Sequence, residues 1–233
     1  MSKIVSLTNQ KGGVGKTTTS VNLAVSFAVS EVKTLLIDLD PQSNATTGLE
    51  ALVDDKQGSI YDLIVGDSSA SEVISNTRLE CLDIIGSTND LVGAEVELVN
   101  LMARERQLEK KLKSIRKKYD YILIDCPPSL NLLTINSMVA SNSVLVPLQA
   151  EFFALEGLSQ LLLTVRDIRS KINQDLKIHG IVLTMFDKRN NLSEQIEEDV
   201  RGNLGELVYD TVIPRNVRAV SYTHLTLPTI CSV

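Results

Sequence analysis

The 233-residue sequence has no tryptophan, and aromatic residues make up only 4% of it. A core built from this chain is therefore aliphatic. Cysteine is scarce: Cys81, Cys126 and Cys231 stand alone, with no C-x-x-C pair. That spacing offers neither a disulfide framework nor a thiolate metal site, and it predicts a reduced, cytoplasmic protein. No apolar run reaches the ~18–20 residues that a membrane span needs. The first strand signal begins at residue 3, so no secretory leader is expected. Positive charge is also in deficit, with a net charge of −6. Constitutive wrapping by nucleic acid is disfavoured, although a local basic patch remains compatible with it.

What the chain does have is apolar residues, 43% of the total, in runs that change period. Strand-like runs at 3–8, 34–40, 81–85, 121–125, 143–147, 178–185 and 207–213 alternate with helix-like runs. The helical runs are 16–29, 59–77 as two short patches around Tyr61 and Glu72, about 94–118, 130–141, 155–171 and 192–204. The 94–118 run carries one apolar stripe of Leu101, Leu108, Leu112 and Ile115, and 41–48 reads as a polar loop. Strands that are apolar throughout point to a parallel sheet covered on both faces. The expected fold is α/β: a doubly wound, mostly parallel sheet with helices on both faces.

The composition changes at the end of the chain. Residues 219–233 contain no Asp, Glu, Lys or Arg, and Val220–Thr229 read as a one-frame translation of a transposon-based sequencing adapter. The expectation is a single domain over 1–218, truncated at its carboxyl end, followed by a non-native tail. His224 and Cys231 then carry no meaning, and His179 is expected to be a packing residue.

The chemistry starts at Lys11-Gly12-Gly13-Val14-Gly15-Lys16-Thr17-Thr18, between a strand and a helix. Glycines let the backbone curl and turn its N–H groups inward, and the helix adds the positive end of its dipole. Lys16 is placed to reach the β- and γ-phosphates, and the Thr17 hydroxyl to ligate Mg²⁺. The loop departs from G-x-x-x-x-G-K-[ST]: Gln10 stands where the first glycine belongs, with Lys11 beside it. Asp125 ends an apolar strand as a Walker-B aspartate does, and is expected to hold Mg²⁺ through water. Asp38 and Asp40 end the second strand. Asp40 is assigned to the attacking water and Asp38 to the metal shell.

The phosphate loop, Leu36-Ile37-Asp38-Leu39-Asp40-Pro41-Gln42 and Ile124-Asp125-Cys126-Pro127-Pro128-Ser129 together resemble the deviant Walker-A ATPases. Within these, the chain is similar to the ParA/Soj chromosome and plasmid partitioning family over about residues 2–218. The runs Ala154–Leu158, Leu183–Arg189 and Ile213–Arg218 fit the same group. The resemblance implies an ATPase that is weak alone and stimulated by a ParB-like centromere-binding protein. It also implies an ATP-dependent homodimer with two nucleotides sandwiched between subunits. It makes Lys11 the signature lysine that crosses to the partner's phosphates, and puts Met185, Pro214 and Asn216 at the adenine. It matches Arg189 and Arg218 to sequence-independent DNA contacts, in a basic group with Lys188 and Arg215. Nonspecific DNA binding in the ATP state implies nucleoid association. The basic residues Arg104, Arg106, Lys110, Lys111, Lys113, Arg116, Lys117 and Lys118 read instead as a solvated helix face.

A MinD-like membrane-surface ATPase is the alternative, disfavoured by the Pro41-Gln42 loop and the arginines near the chain end. An iron-cluster role for Cys126 needs two cysteines per subunit at an interface, so a small buried thiol is expected.

Overall fold

The computed structural model describes residues 2–51, 58–151, 154–187 and 189–216, the side chains of 191 and 192 excepted. Lys188, Arg218, His224, Cys231 and the tail over 219–233 lie outside the described residues. One eight-stranded sheet forms the centre, in the order β3-β4-β2-β5-β1-β6-β7-β8. Its strands are β1 (Lys3–Leu7), β2 (Thr34–Asp38), β3 (Ser75–Asn76), β4 (Leu82–Ile85), β5 (Tyr121–Asp125), β6 (Ser143–Gln149), β7 (Lys177–Phe186) and β8 (Val208–Pro214). Every pairing is parallel except β3 with β4. The chain leaves β1 toward β2 on one side and leaves β5 toward β6 on the other, so the topological switch lies at β5 and β1. Ligands of such sheets bind outside the strand carboxyl ends at that point.

The register brings the site residues together there. Asp38 pairs with Asp125 across β2 and β5, and Asp125 pairs with Leu7 across β5 and β1. Helix α1 (Lys16–Val29) packs Val21, Ala24, Val25 and Ala28 against Val5, Leu7, Leu36 and Leu123. These four recur at the i, i+3, i+4, i+7 spacing of one helical face. On the other face, Leu35, Ile37, Ile122 and Ile124 meet the helices that follow β2 and β5. With both faces covered, the central strands are apolar at nearly every residue.

Four local expectations are corrected. The 41–48 segment is not all loop, since α2 (Asn44–Gly48) forms within it, organised by the Asp38 carboxylate through Thr46. After α3 (Ile60–Ile64), the patch around Glu72 is a turn that leads into β3.

The single helix expected over 94–118 is broken into α4 (Leu91–Leu98), a 3-10 turn at Arg104–Arg106, α5 (Gln107–Leu112) and a second 3-10 turn at Arg116–Lys118. Ala103 sits at the break with φ 51. The cause lies outside the segment. Asn136, fully buried on α6 (Leu132–Ala140), accepts from the Leu108 amide and donates to the Arg104 carbonyl. Its amide satisfies backbone groups that a continuous helix would satisfy internally. The stripe still points inward, with Leu108, Leu112 and Ile115 all buried.

His179 is exposed rather than packed. The β6–β7 register skips it, passing from Val144↔Ile178 to Leu145↔Gly180, and the bulge turns it outward, where Nδ1 shares a hydrogen bond with the Tyr209 hydroxyl at 3.1 Å. Cys126 is a buried thiol as expected, 3.0 Å from the Ser137 hydroxyl, with burial pushing it up to about 12.

Candidate functional site

The glycine loop leaves β1 and is held at two points by side chains. Asn9 donates from Nδ2 to the Pro147 carbonyl at 2.8 Å and accepts from the Lys11 amide at 3.0 Å. The Thr184 hydroxyl, on β7, donates to the Val14 carbonyl at 2.8 Å. Between these anchors Gly13 and Gly15 adopt φ 73 and 81, the left-handed region where a side chain is strained. Gly15 is also the amino cap of α1, and no side chain occupies that cap. The first amides of α1 are thus left for an anion. Lys16 is only 5% exposed, and its ammonium donates to the Lys11 carbonyl at 3.0 Å. Burial pulls this lysine below its ordinary value, opposed by the charges of Asp125 and Asp40.

Asp125 faces this lysine from the end of β5. It is fully buried, and neither carboxylate oxygen makes a hydrogen bond of ordinary geometry, although the Thr17 and Ser20 hydroxyls lie close enough to act on its charge. Burial first, then the neighbouring Asp38 charge, lifts its pKa to about 7, while the Thr17 and Ser20 hydroxyls and Lys16 oppose the rise. A buried carboxylate held this weakly is costly. A hydrated divalent cation beside Thr17 is the kind of group that would satisfy it, because the donors offered are hard oxygens. Among the described residues no cluster of three or more His, Cys, Asp or Glu is placed to hold a metal by itself. A cation here would rely on one hydroxyl, one carboxylate, water and the ligand's own oxygens, the pattern of Mg²⁺ at phosphates.

Asp38 is committed differently from the expectation. One oxygen accepts from the Asp40 amide at 3.2 Å, and the other from the Thr46 amide and hydroxyl at 2.8 and 2.7 Å. Thr46 in turn accepts from the Ser87 amide at 2.9 Å. Burial raises Asp38 to about 6 despite these bonds. Both its oxygens are thus engaged in shaping the loop that carries Asp40, whose Oδ1 accepts from Gln42. Thr46, Ser87, Asn9 and Thr184 were missed by sequence reasoning. Only Asn9, adjoining the loop, carried a readable signal.

Lys11 is half-exposed, and its ammonium pairs with Glu151 at 2.5 Å. Gln149 donates to the other Glu151 oxygen, also at 2.5 Å. Met185, at φ 51, lies over the loop, with its methyl 3.7 Å from the position of a Cβ on Gly15. Pro214 pairs with Phe186 at the end of β7, and the Arg215 amide donates to the Phe186 carbonyl. Asn216 follows and is exposed. The three residues expected at the adenine therefore cluster around the carboxyl end of β7. Arg189 bonds Asp187 through Nε and a terminal nitrogen at 3.0 and 2.9 Å, which holds that carboxyl down to about 2.

Half of the other basic group is engaged in structure. Arg104 and Arg106 pair with Glu105 and Glu109, Lys111 donates to the Gly66 and Ser68 carbonyls, and Arg116 to that of Ala140.

Comparison with known proteins agrees with this geometry. A family model described as an AAA domain matches residues 2–178. The sporulation initiation inhibitor protein Soj of Bacillus subtilis (strain 168) is 52% identical over 218 residues, covering 94% of this chain and 86% of that protein. The chain belongs to the ParA/Soj family of chromosome partitioning proteins. Its ParA relative from Myxococcus xanthus (strain DK1622) is 50% identical over 216 residues, covering 93% of this chain and 76% of that protein. Among solved structures, cobyrinic acid a,c-diamide synthase from Mycobacterium smegmatis, with bound ATP analog and magnesium, aligns with a TM-score of 0.86 at 35% identity. That alignment covers 96% of this chain and 92% of the other. The ParA/Soj assignment and the P-loop sheet thus meet on the same residues.

Proposed function

We propose that this chain is a partitioning ATPase that binds MgATP at the 11–18 loop, dimerises on it and then binds DNA without sequence preference. The observation that carries the reading is the buried Asp125 carboxylate, without a hydrogen bond of ordinary geometry, beside Lys16 and Thr17 at the uncapped start of α1. Backbone amides of the loop and Lys16 would hold the phosphates, with Thr17 and Asp125 holding Mg²⁺ directly and through water. Mg²⁺ supplies charge neutralisation on the phosphate oxygens. Asp40 orients the attacking water, and Asp38 sets the loop that carries Asp40. Lys11 leaves Glu151 and reaches the partner subunit's phosphates, a cation placed where charge develops. Met185, Pro214 and Asn216 flank the adenine.

Arg189 and Arg215 supply the described part of a phosphate-contact patch that dimerisation doubles, with Lys188 and Arg218 assigned to it from the sequence. A ParB-like centromere-binding protein stimulates hydrolysis and resets the cycle, and the protein works on the nucleoid in the cytoplasm.

Co-sedimentation with DNA and with anionic liposomes, each with and without MgATP, tests the reading. The expected result is MgATP-dependent, salt-sensitive sedimentation with DNA and none with liposomes. Liposome binding, or DNA binding indifferent to both MgATP and salt, would overturn it. Phosphate release in the same samples checks turnover.

A further inference from the structure

The geometry points to a second ligand site: a cleft beneath the amino ends of β2, β4 and β5 that takes a small anion with a phosphate or carboxylate head. Asp38 and Asp125 end β2 and β5 at their carboxyl ends, beside the 11–18 loop that leaves the parallel neighbour β1, so the two sites sit at opposite ends of the sheet. The cleft measures about 500 Å³, inside the ~300–1,000 Å³ range of small-molecule sites.

Its walls are pre-formed by the strand entries. The Lys33 carbonyl accepts from the Asp120 and Tyr121 amides, and the Thr34 amide donates to the Cys81 carbonyl at 2.8 Å. Tyr119 donates its hydroxyl to Asp83 at 2.7 Å. A ligand therefore meets a surface held by the three strands rather than one it has to order.

The lining selects the ligand's charge. Lys33 and Lys118, both exposed, line the cleft, and neither ammonium has a hydrogen-bond or ion-pair partner among the described residues. Asp83 is the one carboxylate in the lining, and it already accepts the Tyr119 hydroxyl. The nearby Asp120 carboxylate is turned to the Lys33 amide at 3.1 Å. In a chain of net charge −6 this is a cationic recess. Asn76 and Ser71 add neutral hydrogen-bonding groups. The lining is mixed, with Ile74, Cys81 and the Tyr119 ring beside the polar groups, so it is the two lysines that favour an anionic head group.

Cys81 supplies a reporter, since it lines the cleft and is half-buried while Cys126 is fully buried. The experiment measures alkylation of the Cys81 peptide by iodoacetamide, read by mass spectrometry, in protein kept in excess MgADP so that the phosphate loop is filled. Inorganic phosphate and succinate are the two probes, one for each head group. The expected result is that at least one slows alkylation saturably, by about tenfold at about ten times its Kd. The double variant K33A/K118A, which leaves the loop residues untouched, removes the protection and retains fluorescent-ADP binding. No protection by either probe overturns the site. Protection that persists in the double variant also overturns it, by showing that the anion acts elsewhere.

Discussion

At the scale of the residue, the site turns on which polar atoms are already satisfied. Lys11 is held by Glu151, and Glu151 by Gln149. Both members of the Lys11–Glu151 pair are close to half-exposed, so the contact is worth about 0–1 kcal/mol. Substitution E151Q should therefore lower the MgATP concentration needed for dimerisation by no more than about fivefold, read by light scattering. Lys11→Ala should leave binding of a fluorescent ATP analogue intact and abolish the dimer. Normal dimers with normal turnover would remove the cross-subunit role. Asp40→Ala should bind MgATP and dimerise while phosphate release falls by about 10²-fold or more. Asp38 behaves differently because its oxygens hold Thr46 and the Asp40 amide. Its loss should disturb the loop and folding stability as well as turnover.

At the scale of the element, the loop and the broken helix each depend on contacts from a distant strand or helix. A Cβ on Gly12 would meet only Pro128, at 3.9 Å, whereas Gly15 has φ 81 with Met185 and Thr184 close by. Gly12→Val should thus fold with an unchanged melting temperature and fail only with nucleotide or partner present. Gly15→Val should lose thermal stability even without nucleotide. Circular dichroism melts beside light scattering separate the two. The break between α4 and α5 depends on Asn136. Asn136→Ala strands the buried Leu108 amide and should cost about 1–3 kcal/mol in urea denaturation. The helical stripe was legible from the spacing of leucines, but the break was not. Its cause lies 28 residues away in sequence, on α6.

At the scale of the whole molecule, two carboxylates paired across β2 and β5 link the site to stability. Asp125 stands at about 7 and Asp38 at about 6, both above the ordinary carboxylate value because burial disfavours their charge. Between about pH 4 and pH 7 the folded protein holds protons that the unfolded chain has released. Stability without nucleotide should therefore fall as pH rises through that window and level off above it. Asp125→Asn should flatten the upper part of the curve, as thermal melts across pH would show.

The parallel α/β sheet, the inward face of α1, the 11–18 loop and the acidic strand ends were all legible in the order of residues alone. Each is written in local period or motif, and local backbone physics suffices to read it. Packing in three dimensions was needed to leave Asp125 without an ordinary hydrogen bond while both Asp38 oxygens accept one, to set Glu151 on Lys11, and to bring Lys33 and Lys118 to one cleft. Those facts depend on register and strand order, which bring together side chains up to 140 residues apart.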